Sequence, residues 1–155
     1  ERSRGLGDVY KRQGKIARYV TDFPTAKLAG QPKVVAFPHL GASTEESEDN
    51  CAAMAVRELM DYIENGNIKN SVNYPACDMG VCRSTARILI NHKNMPAMIS
   101  SFTTIVGGAG INIDNMLNKS KGDYAYTMFD VSDTPSQELI DKMNAMDGVV
   151  KVRVI

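Results

Sequence analysis

The sequence predicts an α+β chain that ends in a ferredoxin-like βαββαβ sandwich. From Ala86 to Ile155 the hydrophobic periods alternate between two and about 3.6 residues, in the order strand, helix, strand, strand, helix, strand. Such a split βαβ pair, about seventy residues long, closes into a four-stranded antiparallel sheet with both helices on one face. Ahead of it, the compact apolar run Val34-Val35-Ala36-Phe37 ends at Pro38 and feeds an acid-rich helix start, the pattern of a buried parallel strand in an α/β layer.

Bulk properties agree with a folded chain and narrow its partners. At 155 residues, 43% hydrophobic and 23% charged, the chain suits one ordinary domain or two small ones and is too apolar for a disordered segment. The 18 basic and 18 acidic side chains cancel, so no net field favours nucleic acid or an anionic membrane surface. No apolar run approaches the ~20 residues that span a bilayer, and the N-terminus lacks the apolar core of a secretory signal, so a soluble cytoplasmic protein is expected. Cys51, Cys77 and Cys82 then read as reduced thiols. Cys77 and Cys82 lie in a polar stretch with too few ligands nearby for a metal, so they are taken as linker thiols and no metal is expected.

Residues 1–13 show no apolar period and no initiating Met; they look foreign, a truncated reading frame or a sequence-assembly scar, and are set aside. Ile16 to Phe23 is a short strand-like run, Pro24 to Pro32 a loop, and Val34 to Phe37 the apolar strand. Ser43 with Glu46 three residues on forms a capping box, so a helix starts there. It runs to about Asn65 with Ala52, Val56, Leu59 and Ile63 on one face, and Gly66 stops it. Asn67 to Pro75 is extended. Ala76 to Thr85, with Gly80, is a polar linker in which the domain boundary belongs. The second half then reads strand Ala86–His92, helix Pro96–Gly108, strand Ile111–Asn118, turn Lys119–Asp123, strand Tyr124–Val131, helix Pro135–Met146 and strand Val149–Ile155. Pro96 and Pro135 support the two helix starts, and Gly110 and Gly148 fall at helix-to-strand turns.

His39 is the first side chain that could carry chemistry. It follows the apolar strand directly and opens a loop that feeds a helix N-terminus, the edge of an α/β sheet at which ligands bind. An imidazole there can accept a hydroxyl proton near neutral pH, as alcohol oxidation by hydride transfer requires. Spacing alone leaves open a turn histidine bonded to a backbone carbonyl.

Phe37-Pro38-His39-Leu40-Gly41-Ala42-Ser43-Thr44, the acidic helix start, and the later Asn70-Ser71-Val72-Asn73-Tyr74-Pro75 resemble the closing signature of D-2-hydroxyacid dehydrogenases, specifically those acting on 3-phosphoglycerate. The resemblance implies that residues 14–75 are the C-terminal piece of a Rossmann-type NAD-binding catalytic domain, its last strand and a long interlobe helix. It implies that His39 is the acid/base catalyst, taking the C2 hydroxyl proton while hydride passes to NAD. Gly41 and Ala42 would lie against the nicotinamide end. Asp22, in Val20-Thr21-Asp22-Phe23-Pro24, would hold the carboxamide, although an acid capping the following loop explains the same residue. The implied reaction converts 3-phospho-D-glycerate to 3-phosphohydroxypyruvate, the entry to L-serine synthesis. No G-x-G-x-x-G occurs, and the family's catalytic arginine and the glutamate that partners its histidine lie upstream of anything present, so the chain alone is expected to be inactive.

Residues 86–155 resemble an ACT regulatory domain over their whole length, through His92-Lys93-Asn94-Met95-Pro96, Gly110-Ile111-Asn112-Ile113 and Gly122-Asp123-Tyr124-Ala125-Tyr126. In the ACT domains of these dehydrogenases, residues matching His92, Asn94 and Asn112 bind L-serine at the seam between two subunits. The resemblance therefore implies a serine-sensitive domain within a homodimer or homotetramer, serine stiffening the links to the lobes. A zwitterion needs several fixed polar partners, and short amides both donate and accept; turn and cap chemistry is the alternative for the same three residues. One departure is Pro96-Ala97 where many members have Pro-Gly, a methyl group that would narrow the effector's approach. Lys93 and Met95 also differ.

Two rival readings remain. An RNA-binding module shares the βαββαβ order, and Lys121 to Phe129 nearly copies its third-strand motif with Asp123 inserted. The first strand, Arg87 to Asn91, lacks the stacking aromatic and the net charge is zero, so no nucleic acid is expected. A stand-alone ACT amino-acid sensor is the other rival; such a sensor has no reason to carry the His39 segment.

Overall fold

The computed structural model describes residues 17–155; the expectations for residues 1–13, and for Ile16 as the start of the first strand, lie outside them. The described elements are β1 (Tyr19–Thr21), β2 (Val34–Ala36), α1 (Glu45–Asn65), β3 (Ala86–Lys93), α2 (Met98–Gly108), β4 (Ile113–Lys121), β5 (Tyr124–Val131), α3 (Gln137–Asn144) and β6 (Val149–Val154). The chain divides into two compact units, Glu1–Ala52 and Ala53–Ile155, with the break inside α1.

In the first unit, β1 and β2 pair in parallel, Tyr19 opposite Val34 and Thr21 opposite Ala36. The parallel sense is as expected, but the burial is not: Val20 is 60% and Val35 44% exposed. A parallel pair is apolar on both faces because it needs cover on both, and Leu28 is the one buried residue among residues 17–52 as described. The cap of α1 also moves by one residue. Thr44, not Ser43, accepts the backbone N–H of Ser47 on its Oγ1 at 3.2 Å, with Glu45, Glu46 and Glu48 in the first turn. Gly66 ends the helix as expected, at φ 75°.

The second unit is the ferredoxin-like fold itself. Its sheet has the order β4-β5-β3-β6 with every pair antiparallel. Both helices cover one face. Met98, Phe102 and Val106 of α2 and Leu139 and Met143 of α3 close on Ile88, Ile90, Phe129, Val131 and Val152. The helix starts fall later than expected, leaving Pro96 and Pro135 outside them. Ser136 caps α3, its hydroxyl accepting the Leu139 N–H at 3.3 Å. Strand β4 begins at Ile113 rather than Ile111, because Asn112 and Ser132 hold each other through backbone N–H groups and a hydroxyl. It runs on to Lys121, which shortens the turn to Gly122-Asp123.

The start of α2 shows the cost of Ala97. This residue sits at φ 65°, ψ 1°, the left-handed conformation a glycine adopts freely, and makes no side-chain cap. An L-residue there carries about 1 kcal/mol of strain. Ala97→Gly is therefore expected to stabilise the chain by about 0.5–1 kcal/mol in urea unfolding, while the β-branched Ala97→Val destabilises it.

The face opposite the helices is covered by the chain itself. Residues 66–80 run across it as a strap, with Ile68 and Cys77 forming an antiparallel bridge through hydrogen bonds of 2.7 and 3.0 Å. Ile68, Cys77, Tyr62, Tyr74 and Met79 pack on Leu89, Tyr126 and Met128. Cys77 is thus a core residue rather than a linker thiol, and burial pushes its thiol pKa up. The Tyr126 hydroxyl donates to the Gly66 carbonyl at 2.9 Å; its pKa is pushed well up, by burial first. Lys119 and Lys121 of β4 donate to the carbonyls of Ala76 and Ser71, and Arg153 of β6 to that of Tyr62. At the root of the strap, Asp61 accepts hydrogen bonds from Lys69, Asn67 and Asn65; burial raises its pKa, but these bonds outweigh it and hold the carboxyl below its usual range. The apolar stripe of α1 is not part of this core. Leu59 and Ile63 are each 60% exposed, and no residue of the helix is buried.

Candidate functional site

In the first unit, the parallel pairing brings the residues just beyond β1 and β2 together. Phe37 donates its N–H to the Thr21 carbonyl at 3.1 Å. One step further, His39 Nδ1 lies 2.6 Å from Asp22 Oδ2, with both side chains partly exposed. A carboxylate only accepts, so Nδ1 carries the proton toward Asp22, and in the neutral ring the lone pair then sits on Nε2. The Phe23 ring lies 4.3 Å from the imidazole, centroid to centroid, at 38°. The arrangement is an oriented, solvent-reachable proton acceptor. Asp22, expected beside the carboxamide, presents its Oδ2 to the histidine ring. Gly41 and Ala42 follow in the turn that precedes α1.

In the second unit, His92, Asn94 and Asn112 do not converge. His92 is 2% exposed and points under α2, its ring edge-on to Phe102 at 5.2 Å. Both of its nitrogens are engaged, Nδ1 with the Lys93 carbonyl at 2.8 Å and Nε2 with Thr127 Oγ1 at 2.8 Å, and Thr127 in turn meets Asn118 Oδ1 at 2.9 Å. Asn94 is exposed at the end of β3, where its N–H and its Nδ2 pin the β4–β5 turn through the carbonyls of Asp123 and Gly122. Asn112 is exposed at the start of β4, its amide donating to Asp114 at 2.7 Å. Lys93 pairs with Tyr124 and Ile113 with Val131, so the two asparagines stand at opposite ends of β5, about 24 Å apart at about 3.4 Å per residue. Thr127 and Asn118 were not expected. The signal for Thr127 was a short aliphatic hydroxyl among the large side chains in the middle of β5.

Burial lowers the pKa of His92, while the bonds to Lys93 and Asn118 pull the other way. The unfolded chain therefore takes up this proton first as pH falls, and stability present above the ordinary value of about 6.5 is lost below it. The urea midpoint is expected to drop between about pH 7.5 and about pH 5.5, and to drop less in His92→Gln.

Comparison with known proteins adds the relatives. The chain is 30% identical over 138 residues to D-3-phosphoglycerate dehydrogenase 2 of Saccharomyces cerevisiae, covering 84% of this chain and 29% of the relative. It is 28% identical over 122 residues to the D-3-phosphoglycerate dehydrogenase of Haemophilus influenzae, covering 79% and 30%, and 23% identical over 133 residues to that of Escherichia coli K12, covering 84% and 32%. The chain resembles part of a D-3-phosphoglycerate dehydrogenase. It spans about three tenths of the length of the curated relatives it matches. No protein-family model matches. Among solved structures, the ACT domain from GTP pyrophosphokinase of Chlorobium tepidum aligns at a TM-score of 0.41 and 19% identity, over 45% of this chain and 95% of that one. A homoserine dehydrogenase from Thiobacillus denitrificans aligns at 0.37 and 22%, over 57% and 20%. Among the described residues no helix is long and apolar enough to cross a membrane, and no group of three His, Cys, Asp or Glu side chains is placed to hold a metal ion.

Proposed function

We propose that this chain carries the proton-transfer histidine and the effector-sensing domain of an NAD-dependent D-3-phosphoglycerate dehydrogenase. The similarity to these dehydrogenases over 84% of the chain carries the reading. The His39–Asp22 pair supports it. In the oxidation of 3-phospho-D-glycerate, the Nε2 lone pair of His39 accepts the C2 hydroxyl proton, and Asp22 stabilises the imidazolium that results. NAD supplies the hydride acceptor when bound. The residues present match only its reacting end: the 155 residues contain no G-x-G-x-x-G turn to cradle a pyrophosphate, so no step is routed through the cofactor here.

Residues 86–155 form the sheet and helices of the effector domain in this reading, and residues 66–80 belong with them as the strap that covers the open face. Asn94 and Asn112 stand too far apart to hold one L-serine within one protomer, but a two-fold axis beside the open edge of β4 brings Asn94 of one copy toward Asn112 of another. His92 then acts as a positioning residue, fixing the end of β3 from which Asn94 projects.

Titration calorimetry of L-serine into the full chain, with glycine and L-alanine as controls, tests this reading. Saturable binding is expected for L-serine alone and is lost in Asn94→Ala and in Asn112→Ala. Mixing the two variants restores part of it, because a mixed dimer rebuilds one intact site. Absence of binding by the folded chain overturns the effector assignment; binding that the mixture fails to restore overturns the cross-subunit site.

A further inference from the structure

The structure holds a second recess, which neither His39 nor the asparagines use. It lies on the strap face of the sheet, in a groove of about 480 Å³ lined by Leu59, Tyr62, Ile68, Tyr74, Glu58 and Asn91, with Lys69 at its rim. That volume falls within the range of small-molecule sites, which are mostly apolar with a few placed polar groups.

The polar groups here are unequally satisfied. Lys69 is held by Asp61 at 3.0 Å and by Asp78 at 3.6 Å. Glu58 is met by the neutral amide of Asn70 on one oxygen, and no cation among the described residues pairs with it. The half-buried Asn91 side chain has no hydrogen-bond partner among the described residues. It stands where the β3–β6 register shifts, between Asn91 and His92, and a bulge re-aims a side chain at such a point. Tyr74 adds an aromatic ring whose face attracts cations.

We propose that this groove binds a small molecule with an aromatic or aliphatic body and an ammonium head: the body rests on Leu59, Ile68 and Tyr74, the ammonium meets Glu58, and a polar edge meets the Asn91 amide. The site is separate from His92, which faces the helices on the other side of the sheet.

Phenethylamine and phenylacetate share a body and differ in the charge of the head, so they serve as probes. In ¹H–¹⁵N NMR titrations of the full chain, phenethylamine is expected to give saturable shifts at Ile68, Tyr74 and Asn91. Phenylacetate should bind at least about tenfold more weakly, a difference of about 1.4 kcal/mol. Glu58→Gln removes the preference, while Asn91→Leu weakens phenethylamine; unchanged shifts elsewhere confirm that each variant is folded. The proposal is overturned if phenethylamine gives no saturable shift up to about 10 mM, if phenylacetate binds as well, or if the preference survives Glu58→Gln.

Discussion

Asp130→Ala is expected to lower the unfolding free energy by about 3–5 kcal/mol, because it strands a buried guanidinium. Arg87 is 1% exposed. Its Nε and Nη2 meet the two Asp130 oxygens at 2.5 and 3.0 Å in a two-pronged pair across β3 and β5. The same guanidinium donates through Nη1 to the carbonyls of Asn65 and Gly80 at 2.8 and 2.9 Å. It thereby ties both ends of the strap to the sheet. A buried ion pair can often be exchanged for apolar residues at little cost, but here the exchange also orphans the Asn65 carbonyl and leaves that of Gly80 with the Asn67 amide as its remaining donor. The double variant Arg87→Leu/Asp130→Leu should recover only part of the loss in urea unfolding. Full recovery would mean that the carbonyl contacts contribute nothing.

Gly66→Ala has the other large effect, a loss of about 2–4 kcal/mol. Two causes add. The backbone there is left-handed, at φ 75°, which costs an alanine about 1 kcal/mol. A Cβ would also stand 2.4 and 2.6 Å from the Leu89 methyls. Leu89 is wedged among Ile68, Cys77, Tyr126 and Met128 and has nowhere to retreat, so overpacking adds about 1–3 kcal/mol. Shrinking Leu89 to alanine in the Gly66→Ala background should cost less than the same change in the wild type, because it relieves the clash. Equal costs in both backgrounds would show that the clash relaxes elsewhere.

The sandwich was legible in the sequence because its strands and helices carry clean and different periods. Ile88-Leu89-Ile90 is a short apolar run buried on both faces of the sheet, while Phe102 and Val106 recur one helical turn apart. Helix starts were less legible: proline at 96 and 135 signals a beginning but not its offset, and Ala97 spends a residue in a conformation its identity does not announce. His39 could be singled out from its place after an apolar strand. Its contact with Asp22 could not, since it depends on the register of β1 against β2, and alternation along one strand does not fix pairing with another. The strap was read as extended chain and linker because its own composition is polar. What fixes it are donors placed elsewhere, on Arg87, Lys119, Lys121 and Tyr126, reaching backbone carbonyls that leave no trace in the strap's side chains.

The covered second face sets where this protein can be cut. A piece trimmed to begin at Ala86 would retain every strand of the four-stranded sheet and both helices above it. It would also lay bare Leu89, Tyr126 and Met128, and leave Arg87 without the carbonyls it was built to reach. Such a piece is expected to self-associate or precipitate, whereas one that begins at Ala53 keeps its own wrapping and stays monodisperse in sedimentation at low concentration, up to any native pairing. The smallest autonomous version of the sensing half is therefore set by the strap rather than by the sheet that the strap conceals.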